Sequence, residues 1–392
     1  MPPIPRHERS PMVTETAQYI TTEQALKDAA SVLQAAPVVA MDLEADSMHH
    51  FEEKVCLIQL ATDSACFIAD PLAIGDMSPL APLFSDGDIV KVLHGADYDV
   101  RSLYRDFDIR IDNLFDTEVA CRFLGYPHSS LEAVVKRHFD VELDKKFQKK
   151  DWSVRPLPEE MIDYAADDVR YLVDLYHELT AALVEKGRLR WLLETCDVLR
   201  SQRPGEPDGT DRPLFMGIKG AGRLDPRSLA VLENLAVFRK EAARKKDRPP
   251  YKIMNNSTLI ALAREKPADA AHLGKTRILS KKQFSMYAGQ ILRAIGDGLA
   301  LSDNELPRYP KNNSSPPSKA VTRRINTLKK WREKTAAHLE MDPAMLINNA
   351  AIAQVAKLNP ASTGDLKDVD LLKNWQIDAF GDQWIETLSS AG

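Results

Sequence analysis

Two acidic residues stand two positions apart at the end of an apolar stretch. Residues 37–41 lead directly into Asp42 and Glu44 and have the pattern of a buried strand. Because side chains alternate across a strand, Asp42 and Glu44 project to one face and Leu43 projects to the other. Two carboxylates on one face repel each other unless a cation lies between them, and a hard divalent cation prefers oxygen ligands. The pair predicts a metal site, although an isolated Asp-x-Glu is more often a solvated strand end.

A second group of acids follows the apolar strand predicted at residues 90–93. Gly95 and Ala96 are typical of a tight strand-to-helix turn, and the helix beyond presents an acid in its first turn. A carboxylate there is favoured by the helix dipole and by the free backbone amides. Asp97 and Asp99 both satisfy this requirement, so the residues alone leave both open as functional acids and leave simple helix capping as an alternative.

A third element places a phenol beside a carboxylate. Tyr164 and Asp168 lie four positions apart in a helical pattern and therefore share one helix face. Together they can reach the same metal-bound water. Asp163 and Asp167 lie off that register, and we expect both to be exposed to solvent.

The spacing of apolar residues predicts three segments. Strands at 37–41, 55–60, 66–68 and 90–93, with helices at 99–107 and 159–183, predict an α/β domain with a mixed, layered sheet over residues 15–200. A linker at 201–223 precedes an all-α segment at 224–300, and a second linker at 301–320 precedes another all-α segment at 321–392. Leu235-Ala-Val-Phe-Arg matches Leu328-Lys-Lys-Trp-Arg, which predicts two copies of one helical module.

Charge is distributed unevenly along a chain whose net charge is −5. Residues 1–200 contain 36 acidic and 21 basic side chains, whereas residues 201–300 contain 10 acidic and 19 basic ones. Lys245, Lys246 and Arg248, with Tyr251 nearby, suit a single-stranded nucleic acid whose phosphates pair with cations and whose bases stack. A solvated basic face without a partner is an equal alternative on charge alone.

Residues 1–21 have no apolar core typical of a secretory signal, and no apolar run approaches the roughly 18 residues that a membrane span requires. We therefore expect a cytoplasmic protein with no membrane partner. A monomer is the favoured oligomeric state.

The order of these motifs resembles a known family. Asp-x-Glu at a strand end, His-x-x-x-x-Asp at a turn and Tyr-x-x-x-Asp on a late helix resemble the DEDD exonucleases with a tyrosine. The connecting segment 144–157, Asp-Lys-Lys-Phe-Gln-Lys-Lys-Asp-Trp-Ser-Val-Arg-Pro-Leu, is similar to the ribonuclease D branch. The two helical modules resemble HRDC domains, so the resemblance covers about residues 15–390.

The resemblance implies a fold, a site and a substrate. It implies a ribonuclease H-like exonuclease domain followed by two HRDC-like domains. It selects Asp99 over Asp97 and implies that two ions, Mg²⁺ or Mn²⁺, are held by Asp42, Glu44, Asp99 and Asp168. Tyr164 would orient the attacking water.

The implied activity is 3′→5′ exoribonuclease trimming of single-stranded RNA 3′ tails, such as those of tRNA precursors, with release of nucleoside 5′-monophosphates. Substrate contacts are expected from His94, Lys145, Gln148, Arg155, Lys245, Lys246 and Arg248, although ordinary surface or structural roles are an alternative, and for His94 packing beside the turn is the simpler one. A DNA exonuclease with the same site and a non-catalytic nucleic-acid-binding scaffold are the alternative functions.

Overall fold

The computed structural model describes residues 16–201, 212–310 and 317–390. Within these ranges the chain forms two compact units, one of residues 16–45, 55–201 and 317–390 and one of residues 46–54 and 212–310. The segment before residue 16 and parts of both predicted linkers, 202–211 and 311–316, lie outside the described residues.

The first unit contains a mixed sheet of six strands. They are β1 (Gln18–Ile20), β2 (Val38–Ala45), β3 (Val55–Ala61), β4 (Cys66–Ala69), β5 (Val90–Leu93) and β6 (Leu114–Asp116). Their order across the sheet is β1-β4-β3-β2-β5-β6, and β3 is antiparallel to both of its neighbours while the other pairs are parallel. All four predicted strands are present. The three-residue strands β1 and β6 were not predicted, because so short a segment carries no readable alternation of apolar residues.

Nine helices surround this sheet within the described part of residues 16–201. They are α1 (Glu23–Gln34), α2 (Pro71–Ile74), α3 (Ala81–Ser85), α4 (Asp97–Phe107), α5 (Thr117–Leu124), α6 (Leu131–Phe139), α7 (Glu159–Arg170), α8 (Leu172–Glu185) and α9 (Leu189–Arg200). The single helix predicted at 159–183 is wrong, because the helical run divides at Tyr171. The two halves pack on different surfaces, α7 across β2, β3 and β4 and α8 against α5, β2 and β5, so the chain must change direction between them.

The remaining helices form two modules. The first module contains α10 (Pro226–Lys245), α11 (Pro250–Ile253), α12 (Asn256–Glu265), α13 (Ala270–Thr276) and α14 (Lys281–Ala300). The second contains α15 (Lys319–Leu339), α16 (Pro343–Leu346), α17 (Asn349–Leu358) and α18 (Asn374–Ser389). Phe215, placed in a linker by composition, is buried in the core of the first module, so that module begins before residue 224. No helix in the described ranges is long and apolar enough to cross a membrane.

The two modules repeat each other down to individual hydrogen bonds. Arg239 donates to the Met254 carbonyl at 3.1 Å and to Asn256 at 2.7 Å. Arg332 makes the same pair of bonds in the second module, to the carbonyl of residue 347 at 3.2 Å and to the asparagine at 349 at 3.1 Å. Every partner stands 93 positions after its counterpart. The repeat predicted from the two Leu-x-x-aromatic-Arg matches is therefore present in three dimensions.

The second module packs directly on the sheet-containing part of its unit. Trp191 on α9 stacks on Trp375 on α18, with ring centroids 4.7 Å apart. Arg122 on α5 pairs with Asp342 at 2.8 Å, and Glu194 accepts the Trp375 backbone amide at 2.9 Å. A stacked aromatic pair flanked by charge-assisted hydrogen bonds fixes this module in place. This arrangement indicates a structural role for the second module.

Candidate active site

Strand β2 carries the first two acids to the middle of the sheet. Residues 38–41 are fully buried, which anchors the strand, whereas Asp42 and Glu44 are partly exposed and Leu43 between them is buried. The two carboxylates therefore share one face, as the alternation predicts. The register with β3 shifts between Glu44 and Ala45, so regular pairing ends immediately after the second acid.

Asp99 reaches the same region from the neighbouring strand. Strand β5 runs parallel to β2, with Ala40 beside Val92, so its carboxyl end meets β2 near Asp42. The turn after β5 uses Gly95 with a φ of +76°, a conformation that suits glycine, and α4 then begins. Asp99 lies in the first turn of α4 and is 6% exposed.

Asp97, the alternative to Asp99, lies on the surface of α4. It is exposed and forms an ion pair with Arg101 one turn later on the same helix. The placement favours Asp99 as the functional acid, because Asp97 already has a cationic partner on the surface.

Helix α7 brings the remaining two candidates over the sheet. Tyr164 and Asp168 are both partly buried, and α7 packs on β2, β3 and β4. The Tyr164 ring contacts Phe147 edge-on at a centroid distance of 5.7 Å and lies 6.0 Å from the ring of Trp152. These contacts fix the position of the Tyr164 ring. Asp163 is exposed as expected, whereas Asp167 is only partly exposed because it pairs with Arg170 at 2.8 Å.

The four carboxylates influence one another electrostatically. Burial raises the pKa of Glu44 to about 9, with added repulsion from Asp168 and Asp99. Burial, and then the other three carboxylates, raise the pKa of Asp42 well above its usual range. Burial and the charge of Asp116 raise the pKa of Asp99 to about 7, and burial with a neighbouring acid on α7 raises the pKa of Asp168 to about 7. Negative charge is therefore costly at this site until a cation arrives.

The donor set fits a hard divalent cation. All four groups offer oxygen ligands, and in the described ranges no Lys, Arg or His forms an ion pair with any of them. In the same ranges no group of three or more Asp, Glu, His or Cys side chains is arranged, as the side chains stand, so that it could hold a metal ion. Repulsion from nearby carboxylates contributes to the raised pKa values of Asp42 and Glu44, and a bound cation would relieve that repulsion.

Three of the residues predicted to contact substrate differ in their surroundings. Lys145 pairs with Glu132, and Gln148 is exposed. Nδ1 of His94 lies 2.9 Å from the hydroxyl of Thr117, and burial lowers the pKa of His94 to about 4, so the ring is neutral near pH 7. His94 thus packs beside the turn that leads to α4.

Arg155 ties its segment to the sheet. Nε donates to Asp70 Oδ2 at 2.6 Å and Nη2 donates to Asp70 Oδ1 at 2.7 Å, while Nη1 donates to the Trp152 carbonyl at 2.7 Å. The Asp70 side chain is 1% exposed, so this bidentate pair is largely shielded from water. The geometry favours a structural tie for Arg155, and its contact with substrate stays a prediction.

The three cations predicted in the first helical module are exposed. Lys245, Lys246 and Arg248 follow one another around the end of α10. The Lys246 ammonium lies 4.8 Å from the centroid of the Tyr287 ring, a cation–π contact. Tyr251, the aromatic residue predicted beside these cations, is also exposed, and binding of nucleic acid to this surface stays a prediction.

Two buried polar residues beside the site were not anticipated from the sequence. Asp116, 1% exposed, accepts the backbone amides of Gly95 and Ala96 at 2.9 and 2.8 Å and so holds the turn that leads to Asp99. Gln59 on β3 lies opposite Asp42 and is fully buried. The Asp-Thr pair after two apolar residues is a signal for the first, since Asp is a frequent helix N-cap. A lone Gln within an apolar strand was the available signal for the second.

Comparisons with known proteins agree with this geometry. A family model described as 3′-5′ exonuclease matches residues 17–184, which include all five catalytic candidates, and the HRDC domain model matches residues 228–295 and 322–388. A ribonuclease D of Bartonella henselae is 30% identical over 369 residues, covering 93% of this chain and 88% of that protein. The chain belongs to the ribonuclease D family. It is accordingly a 3′→5′ exoribonuclease, a hydrolase of phosphodiester bonds that acts on nucleic acid.

Solved structures show the same fold. The crystal structure of Escherichia coli RNase D matches with a TM-score of 0.72, covering 96% of this chain and 99% of that one, at 24% identity. The catalytic core of RRP6 from Trypanosoma brucei is 32% identical, with a TM-score of 0.63 and coverage of 74% of this chain and 82% of that one. The predicted α/β exonuclease domain followed by two HRDC domains is confirmed.

Proposed function

We propose that the enzyme is metal-dependent and that Asp42, Glu44, Asp99 and Asp168 hold two divalent ions, Mg²⁺ or Mn²⁺. The observation that carries the proposal is that Asp99 and Asp168 lie near enough to raise the pKa values of Asp42 and Glu44, while no cationic side chain among the described residues pairs with any of the four. Ions bound there supply the chemistry of a two-metal site, which activates water and stabilises the departing 3′-oxygen. The protein itself positions the four carboxylates, which are carried by strand β2, helix α4 and helix α7.

Tyr164 orients the attacking water as a hydrogen-bonding phenol. Burial, followed by the charge of Asp168, raises the pKa of Tyr164 above its ordinary value, so the phenol keeps its proton near pH 7. A protonated phenol can donate one hydrogen bond and accept another, which positions a water without removing its proton. The contacts with Phe147 and Trp152 fix the ring for this task.

The substrate we propose is the single-stranded 3′ end of a structured RNA such as a tRNA precursor, and the product is a nucleoside 5′-monophosphate. The E. coli relative is described as an exoribonuclease involved in structured RNA processing, which supports this choice. Lys245, Lys246 and Arg248 would hold the phosphates of the substrate and offset the repulsion from the acidic half of the chain.

The test is degradation of 5′-labelled RNA and DNA oligonucleotides with Mg²⁺, Mn²⁺ or EDTA, beside Asp42→Ala and the surface control Asp97→Asn. We expect stepwise shortening of RNA, release of nucleoside 5′-monophosphate on thin-layer chromatography, and loss of both with EDTA or Asp42→Ala. Asp97→Asn should retain activity.

Other outcomes contradict separate parts of the proposal. Shortening in EDTA would refute the metal site, and shortening of DNA alone would favour the DNA exonuclease. Binding without cleavage in either metal would favour the scaffold. A tRNA precursor that is shortened no faster than an unrelated single strand would refute the substrate.

A further inference from the structure

A fully buried amide side chain lies within the sheet with no hydrogen-bond partner. Gln59 stands in the middle of β3, a strand whose seven residues are all buried. Its own exposure is 0%, and neither Nε2 nor Oε1 has a partner within hydrogen-bond distance. Burying such a group without a partner costs free energy, and an apolar side chain of similar size would avoid that cost. A buried amide without a hydrogen-bond partner therefore indicates a functional role, because it does not stabilise the fold.

The register of the sheet directs this amide toward the carboxylates. Gln59 is paired with Asp42 across the antiparallel β2–β3 ladder. Residues directly opposite each other in such a ladder project to the same face, with Cβ atoms about 5 Å apart. Gln59 consequently shares the face that carries Asp42 and Glu44. Helix α7, which carries Tyr164 and Asp168, packs on both strands.

Among the described residues, the Asp42 carboxylate lacks a side-chain hydrogen-bond donor that would fix its orientation. In the described part of the chain no side chain donates a hydrogen bond to Asp42, and the backbone amide of Leu43 is the group that lowers the pKa of its carboxyl. A carboxylate that binds a metal is generally held by a further donor, which fixes its orientation. The amide of Gln59 offers two N–H donors at the adjacent position.

We propose that Gln59 is a positioning residue of the metal site, whose Nε2 donates to the Asp42 carboxylate when the ions are bound. The inference rests on the proposed two-ion site and adds a residue to it. In the absence of ions the amide has no charged partner held in place, which accounts for its orphaned state. Gln59 would act through Asp42 and touch neither the substrate nor the reacting atoms.

The test compares Gln59→Leu and Gln59→Met with the wild type by Mn²⁺ titration calorimetry and by thermal unfolding in EDTA. We expect a 10- to 100-fold weaker Mn²⁺ affinity in both variants, as is typical when a partner of a metal ligand is removed. We also expect an unfolding temperature in EDTA that is unchanged or raised, because the variants remove an unsatisfied group. A core residue without a role toward the metal would change the unfolding temperature alone.

A matched control is Gln376→Leu in the second helical module. Gln376 is also buried, at 4% exposure, but its Nε2 donates to the Leu346 carbonyl at 2.8 Å. Its replacement should lower the unfolding temperature in EDTA and leave Mn²⁺ affinity unchanged, the reverse of the pattern expected at Gln59.

The outcomes separate the inference from the proposed function. Wild-type protein that binds no Mn²⁺, or binds it as well after Asp42→Asn, would overturn the proposed metal site itself. Wild-type binding that persists within twofold in both Gln59 variants would overturn the positioning role alone. A lower unfolding temperature for both variants in EDTA would show that the amide is already satisfied without metal, which also overturns it. If Gln59→Leu does not fold, Gln59→Met decides.

Discussion

Replacing Glu44 by Gln should stabilise the metal-free enzyme, and more so as the pH rises. Burial, with repulsion from Asp168 and Asp99, raises the pKa of Glu44 from 4.5 to about 9. A carboxyl group whose pKa is higher in the folded state contributes stability that is fully present below pH 4.5 and is lost as the pH rises through 9. Glutamine has nearly the same shape and carries no charge at any pH, so it does not suffer this loss.

The size of the effect follows from the shift. Neutral pH lies about 2.5 units above the unfolded-state pKa, and each unit corresponds to about 1.36 kcal/mol, which gives about 3.4 kcal/mol at pH 7. Glu44 is partly accessible to water, which reduces the penalty. We therefore expect Glu44→Gln to raise the free energy of unfolding by about 1–3 kcal/mol at pH 7 and by nearly zero at pH 4.

The assay is urea denaturation in EDTA at several pH values between 4 and 8, repeated with saturating Mg²⁺. The exposed Glu185, changed to Gln, serves as the control and should follow the wild type at every pH. Added Mg²⁺ should stabilise the wild type more than Glu44→Gln, because ion binding favours the ionised carboxylate. Glu44→Gln should therefore have the higher free energy of unfolding in EDTA, and the wild type the higher one in Mg²⁺.

Two results would refute this reasoning. One is a Glu44→Gln variant whose stability advantage in EDTA does not grow between pH 4 and pH 8. The other is a variant that gains as much stability from Mg²⁺ as the wild type, since Glu44 would then contribute nothing to ion binding.

Three further predictions concern the tyrosine, the turn and the basic module. Tyr164→Phe should lower kcat about 10- to 100-fold with little change in KM. The pH–rate profile should keep its shape because the phenol is not the titrating group, and loss of one limb of the profile would contradict this. Asp116→Asn should lower the free energy of unfolding by about 2–3 kcal/mol and weaken Mn²⁺ binding, because one of the two oxygens that accept the turn amides becomes an NH2 group and the turn leading to Asp99 loosens; unchanged urea midpoints would argue against it. Reversing the charges of Lys245, Lys246 and Arg248 together should raise KM and leave kcat unchanged. The slope of log KM against log salt concentration should fall by about 0.7 for each lost phosphate contact, and an unchanged slope would exclude phosphate contact.

Much of the site follows from short-range patterns in the sequence. The alternation along a strand places Asp42 and Glu44 on one face, and the helical period places Tyr164 and Asp168 on one face. The match between the residues around Leu235 and those around Leu328 predicts the repeated module. The two shared faces depend only on residues within a few positions of each other, so the local backbone geometry determines them.

The remaining features depend on which distant segments meet. Asp97 and Asp99 were equivalent by residue type, and the resemblance selected Asp99; the packing of α4 shows that Asp99 is buried and that Asp97 is exposed. In the sequence Gln59 is a single polar residue in an apolar strand, and only the β2–β3 register shows that it lies opposite Asp42. For Arg155 the sequence left a substrate contact and a structural role open, and only the fold shows that its donors meet Asp70, which is 85 positions away in the chain.

The sequence by itself therefore determined the residue types, their local faces and the family. The tertiary structure alone decided which of these groups are buried, paired or orphaned. The physical reason is that burial and pairing arise from long-range strand register and helix packing, and these are properties of the whole chain.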